Sequence, residues 1–218
     1  MLIEKQTFLN AKAIGAGRTF ADLELVRCEF TASHLANYDD PGLSLVVRDV
    51  VARRPVVKRS GVHGVRFENV LVEGLTGTLT QPAGCVFRHV TLRGRSGALM
   101  IVGPNDGLPP EVQQAFTDAI VKYYQDVDWA LDITEAEFDT ADLYYLPGDL
   151  VRRDPETQFL LRRPDAVPEN LPAYASIALS RFESTPFDTI VAVAPKRSKN
   201  FAEIKEHYQE LRVRGLAD

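Results

Sequence analysis

A mainly β chain, organised as a short right-handed parallel β-helix with about 20 residues per coil, is the fold class this sequence predicts. Three observations predict it. The stretches GVRFENVLVEG (64–74) and GCVFRHVTLRG (84–94) repeat at a spacing of twenty residues, and LSLVVRDVVAR (43–53) is a further copy. Within the repeats, pairs of uncharged positions recur every five residues. Outward positions alternate in charge from one copy to the next, as in Arg53, Glu73 and Arg93.

The five-residue frame can be followed through most of the chain. From Val47 it runs through Ala52, Val57, Val62, Phe67, Val72, Gly77, Pro82, Phe87, Leu92 and Gly97 to Val102, each preceded two residues earlier by a second inward position. Upstream it passes through Phe20, Leu25, Phe30 and Leu35, with two extra residues assigned to the NYDDPG turn. Downstream it returns at Ile133, Phe138, Leu143 and Gly148. Among these positions only Arg18 and Arg95 are charged. An α-helix needs a period of 3.6 and a flat amphipathic strand a period of 2, so five residues held in phase indicates stacked coils with four short sides. Glycine at 64, 74, 84 and 94 suits the corners. Phe67 and Phe87, one period apart, are expected to stack inside. Arg48, Glu68 and Arg88 are expected to pair across neighbouring coils on the outside.

Residues 109–127 change period. Val112, Phe116, Ala119, Ile120, Tyr123 and Val127 share a helical face, and Pro109-Pro110-Glu111 is a good helix start. This inserted helix could cover an exposed coil end. The β-helix is assigned to residues 1–150, and a small α/β unit to 151–218. In that unit Thr157–Arg163 and Thr189–Ala194 read as strands. Tyr174, Ile177, Ala178, Arg181 and Phe182 suggest one helix. Phe201, Ile204, Tyr208 and Leu211 suggest the last, with Asn200 and Glu203 as a capping box.

Composition bounds the function classes. The chain has 218 residues and a net charge of −5. The acidity is local: residues 109–150 hold one Lys/Arg against ten Asp/Glu, while the flanking segments are slightly basic. No apolar run approaches the ~20 residues of a transmembrane helix, and the N-terminus lacks a signal-peptide core, so a cytoplasmic protein without membrane contact is expected. Cys28 and Cys85 fall on inward positions and are expected to be reduced core thiols. The histidines His34, His63, His89 and His207 show no metal-ligand spacing, and no cofactor motif is present, so neither metal nor cofactor is expected. His89 aligns with Asp49 and Asn69 in an outward polar ladder.

Ala141-Asp142-Leu143-Tyr144-Tyr145 resembles the A(D/N)LXX unit of pentapeptide-repeat proteins, and Ala136-Glu137-Phe138-Asp139-Thr140 nearly does. The resemblance covers residues 18–102 and 131–150. It implies a right-handed β-helix and, for some members, mimicry of DNA in binding topoisomerases. The coils 18–102 are few and not acidic, which departs from that mimicry.

Two stretches carry the candidate sites. Asp128, Trp129, Asp132, Glu135, Glu137, Asp139 and Asp142 would form an acidic outer face with an aromatic anchor, suited to a protein partner. Lys196, Arg197 and Lys199 precede the last helix and would suit an anion. The expected function is non-enzymatic protein interaction, with nucleic acid disfavoured as a partner. The alternative is an enzyme with a pocket on the β-helix or between it and the C-terminal unit.

Overall fold

Parallel pairing begins within the first few residues. A computed structural model describes residues 1–218, and it is mainly β, with parallel sheets and three α-helices. The chain feeds three sheets in rotation. The long sheet takes Leu2–Glu4, Thr19–Val26, Leu45–Arg53, Val65–Glu73 and Val86–Ile101, side by side in sequence order. A second sheet takes Thr7–Leu9, Glu29–Thr31, Val56–Lys58 and Thr76–Gly77. A third takes Lys12–Ile14, His34–Ala36, Gly61–His63 and Pro82–Ala83.

The register is shared by all three sheets. The first layer pairs with the second as Leu2 with Glu24, Thr7 with Glu29 and Lys12 with His34. The second pairs with the third as Thr19 with Val46, Glu29 with Val56 and His34 with Gly61. Beyond that the twenty-residue repeat is regular, with Leu45 on Val65, Val56 on Thr76 and Val62 on Pro82. The five-residue sides are visible in the backbone. Arg54, Arg59, Gly64, Asn69 and Gly74 all have positive φ and mark successive corners five residues apart. At Gly64 a side chain would also collide, because a Cβ would come within 2.3 Å of the Asn37 carbonyl.

The inward frame packs as expected. Leu45, Val50, Val65, Val70, Cys85, Phe87 and Val90 are buried in one continuous core. Phe67 and Phe87 stack with ring centroids 5.6 Å apart, and Phe8 stacks on Phe30 at 4.9 Å. Both cysteines are buried and free, and burial pushes the Cys85 thiol up to about 12.

Several expectations are corrected. Arg95 does not point inward. A bulge between Arg95 and Ala98 exposes it, buries Ser96, and moves the following frame so that Leu99 and Ile101 face the core. A charged side chain could not occupy that core unpaired. The excursion near NYDDPG lengthens its layer by seven residues rather than two, since His34-to-Gly61 spans 27 where Val62-to-Pro82 spans 20. Arg53 pairs with Glu73 at 2.5 Å and with Glu24 at 3.4 Å, but Arg93 pairs with Glu135. Glu68 lies in register between Arg48 and Arg88, as expected, but it pairs with Arg66 and accepts from the Tyr123 hydroxyl, and forms no ion pair with either register neighbour.

Helix α1 (Pro110–Tyr124) starts at the expected proline and buries Phe116, Ile120 and Tyr124. It lies along the flank of the stack and not over an end. Phe116 meets His63, and the Tyr124 hydroxyl accepts from the Phe87 N–H at 3.2 Å. The stack then resumes with Leu131–Asp132 and Ala136–Leu143, and Val151–Arg152 adds a further parallel pairing.

Strands Gln158–Arg162 and Thr189–Val193 pair antiparallel, and Val191 joins them to Leu143 of the long sheet. One face of this pair (Leu160, Val191, Val193) enters the main core. The other (Phe159, Leu161, Ile190, Ala192) builds a second core with helices α2 (Ala173–Ser180) and α3 (Phe201–Val213). Burial on both faces explains the unbroken apolar run at 190–194. The stripe expected on α2 is shifted: Ala175, Ala178 and Leu179 are buried, while Ile177 is 54% exposed. The expected capping box on α3 is not formed. Asn200 instead donates its side-chain amide to the Tyr174 hydroxyl at 2.6 Å.

Candidate functional site

The excursions from the stack leave by one corner, the one after the third sheet. They are the turn at 15–18, the loop at 37–44 and the long insertion at 103–130 that contains α1. The second and third bend toward each other over the outer face of the third sheet. Between them, closed on one side by Tyr144, Tyr145 and Ser184, lies a cleft of about 670 Å³. Its floor is a column of outward positions set by the register: His34, Gly61 and Gln81. Gly61 keeps the floor low, because a Cβ there would come within 2.8 Å of the His34 Nδ1.

One set of polar side chains holds the walls together. His63 is buried, its Nδ1 lies 2.7 Å from the Asn37 carbonyl, and the Asn105 N–H donates to its Nε2 at 3.2 Å. With Nε2 accepting, Nδ1 carries the proton and the ring is neutral. Burial lowers its pKa, in agreement. The ring also lies against Tyr38 at 4.7 Å and edge-on to Phe116 at 5.3 Å. One imidazole thus ties both loops to α1. Gln113 donates to the carbonyls of Leu108 and Asp106 and fixes the loop before the helix. The Thr117 and Tyr145 hydroxyls meet at 2.7 Å and join α1 to the last wall.

A second set lines the same cleft and makes no side-chain hydrogen bond within the chain: His34, Tyr38, Gln81, Asp106, Tyr144 and Ser184. Tyr144 has the Arg181 guanidinium 5.0 Å from its ring centroid, and burial with nearby carboxylates raises its pKa. These groups come from five separate segments, His34 and Tyr38 sharing one, so nothing local accounts for the convergence of the set.

The sequence-derived acidic stretch faces outward except for Asp142, which is largely covered beside Arg181 of the C-terminal unit, and most of it is engaged. Asp128 accepts from His89 at 2.7 Å, and Glu135 faces Arg93 at 3.5 Å. Asp132 accepts from Thr134. Asp139 bridges Arg95 and Arg197, whose pull lowers its pKa. Asp142 meets Arg181 at 2.6 Å, yet burial outweighs that cation and raises its pKa. Trp129 is sandwiched between His89 at 4.7 Å and Arg152 at 4.0 Å. Only Glu137 is both exposed and without a partner.

The expected ladder is present: Asn69 donates to Asp49 at 3.1 Å, and His89 Nδ1 meets Asn69 at 3.2 Å. Of the basic turn, Lys196 pairs with Asp154 and Arg197 with Asp139, while Lys199 is exposed and unpaired. The structure therefore does not gather these three cations around one point.

The cleft residues were not singled out from sequence. The signal was there in the two interruptions of the five-residue frame, NYDDPG and VGPNDGLPP, where polar and aromatic residues replace the repeat. No group of three or more His, Cys, Asp and Glu side chains is placed to hold a metal ion. No helix is long and apolar enough to cross a membrane. No protein-family model, curated protein or solved structure matches the chain.

Proposed function

We propose that this chain is a binding protein built on a short right-handed parallel β-helix, with the cleft over its third sheet as the site for a small ligand. The common register of three parallel sheets and the five-residue spacing of the corners support the β-helix. Its right hand is the one that parallel strand crossovers take in nearly all proteins. The observation that carries the function is the set of polar side chains without internal partners that converge on one cleft. A cleft of this size lies within the ~300–1,000 Å³ of small-molecule sites. The walls are fixed by their own hydrogen bonds, so the site is formed before a ligand arrives. The test is a fragment titration followed by NMR. Binders should shift the signals of His34, Tyr38, Gln81 and Tyr144 together, and Gln81→Ala should weaken them. Hits that map elsewhere on the surface would overturn the reading.

A second reading rests on the N-terminal end of the stack. Leu2, Leu9 and Ile14 are 57%, 64% and 46% exposed there, on strands with one unpaired edge. Such an edge is a pairing surface, and the occupant that fits it is a second copy of this chain. The other end of the stack is covered by residues 151–218, so only a head-to-head contact is available.

A further inference from the structure

The lining of the cleft selects a chemical class. We infer that its ligand is a neutral polyhydroxylated molecule, a saccharide of one or two rings; this rests on the reading of the cleft as a ligand site.

No lysine or arginine lines the cleft, so an anionic ligand such as a phosphate ester would meet no counter-charge. Asp106 is the only carboxylate, and it sits exposed on a loop, where a lone pairing with a cation is weak. What the cleft offers in quantity is groups that both donate and accept. The hydroxyls of Tyr38, Tyr144 and Ser184, the Gln81 amide and the His34 imidazole are all of this kind. A sugar hydroxyl is the ligand group with the same dual character. Each can give its proton to one lining atom and take one from another. Asp106 supplies an acceptor for two neighbouring hydroxyls at once.

The apolar part of the lining is equally specific. Tyr38 is held by His63 on one ring face, and Tyr144 by Arg181. Fixed aromatic rings beside polar groups suit a ligand that alternates a C–H face with hydroxyl edges. The backing groups hold these rings in place before binding, which lowers the ordering cost. A flat aromatic ligand would use the rings but leave the polar groups dehydrated and unpaired, at a penalty for each.

The experiment is saturation-transfer NMR on the full chain with four probes: cellobiose, maltose, glucuronate and glucosamine. At least one neutral disaccharide is expected to receive saturation and to shift the His34 ring signals. Gln81→Ala and His34→Ala should each weaken it by about fivefold or more, the worth of one hydrogen bond, with the melting temperature unchanged. Glucuronate should bind more weakly than the neutral sugars, and Asp106→Asn should narrow that gap. If glucosamine alone binds and shifts the same residues, the neutral class is wrong and the site stands. If no sugar binds while the fragment titration still marks the cleft, the class is wrong. If neither marks the cleft, both readings fall.

Discussion

His63 shows how much one side chain can carry. Its neutral ring donates to Asn37, accepts from Asn105, and lies between Tyr38 and Phe116. Protonation would place a hydrogen where the Asn105 N–H already points. The folded pKa lies below the ordinary 6.5, so as pH falls below about 6.5 the unfolded chain takes up a proton that the folded chain refuses. The stabilisation is therefore present above that value and is lost as pH falls toward the folded value. Urea denaturation at pH 7.5 and 5.5 should show lower stability at 5.5. His63→Phe, which cannot titrate, should be less stable at pH 7.5 but should lose less between the two. An equal loss in both proteins would remove His63 as the cause. None of this was readable from position 63 alone. In the frame it is an ordinary outward residue, and its partners lie 26 and 42 residues away.

At the scale of the element, the sequence was informative wherever the repeat was intact. From Leu45 to Leu92 the inward residues, the Phe67–Phe87 stack and the Asp49–Asn69–His89 ladder all follow from counting fives and twenties. Counting failed at Arg95, because a bulge shifts the phase without altering composition. It also gave most of the acidic stretch its outward face but not its partners. Arg197 and Arg181 reach Asp139 and Asp142 from the C-terminal unit, and the repeat holds no information about that docking. The stacked rings carry a direct prediction. Phe87 is 6% exposed, and Phe87→Ala should cost about 3–5 kcal/mol in chemical denaturation through lost burial and a cavity. Glu137→Gln, on the same stack but exposed and unpaired, should change stability by less than about 0.5 kcal/mol. Comparable losses in the two variants would mean the rings are not the packed core described.

For the whole molecule, the two ends of the stack differ. Residues 151–218 cover one end with a second core, and the other presents Leu2, Leu9 and Ile14 on unpaired edges. Sedimentation velocity should reveal concentration-dependent self-association of the chain. Leu9→Lys should weaken it and leave the melting temperature nearly unchanged, because Leu9 is already exposed and lysine is a residue that blunts strand edges. Identical sedimentation of the two proteins across the concentration range would exclude a head-to-head contact. The corner that releases every excursion has a different kind of consequence. Between Ala83 and Val86 the chain rounds it through little more than Gly84, and between Val102 and Leu131 it spends a helix there, yet the parallel pairing resumes on either side. Lengthening a loop costs little, about 0.6 kcal/mol per doubling. New segments can therefore be written into this one vertex while the remaining sides keep their sequence. Recognition and scaffold are free to change on separate schedules, and the open turn at 15–18, where a side chain on Gly15 or Gly17 would meet no neighbour within 4 Å, is the place on this vertex where a graft would leave the stack beneath it unrewritten.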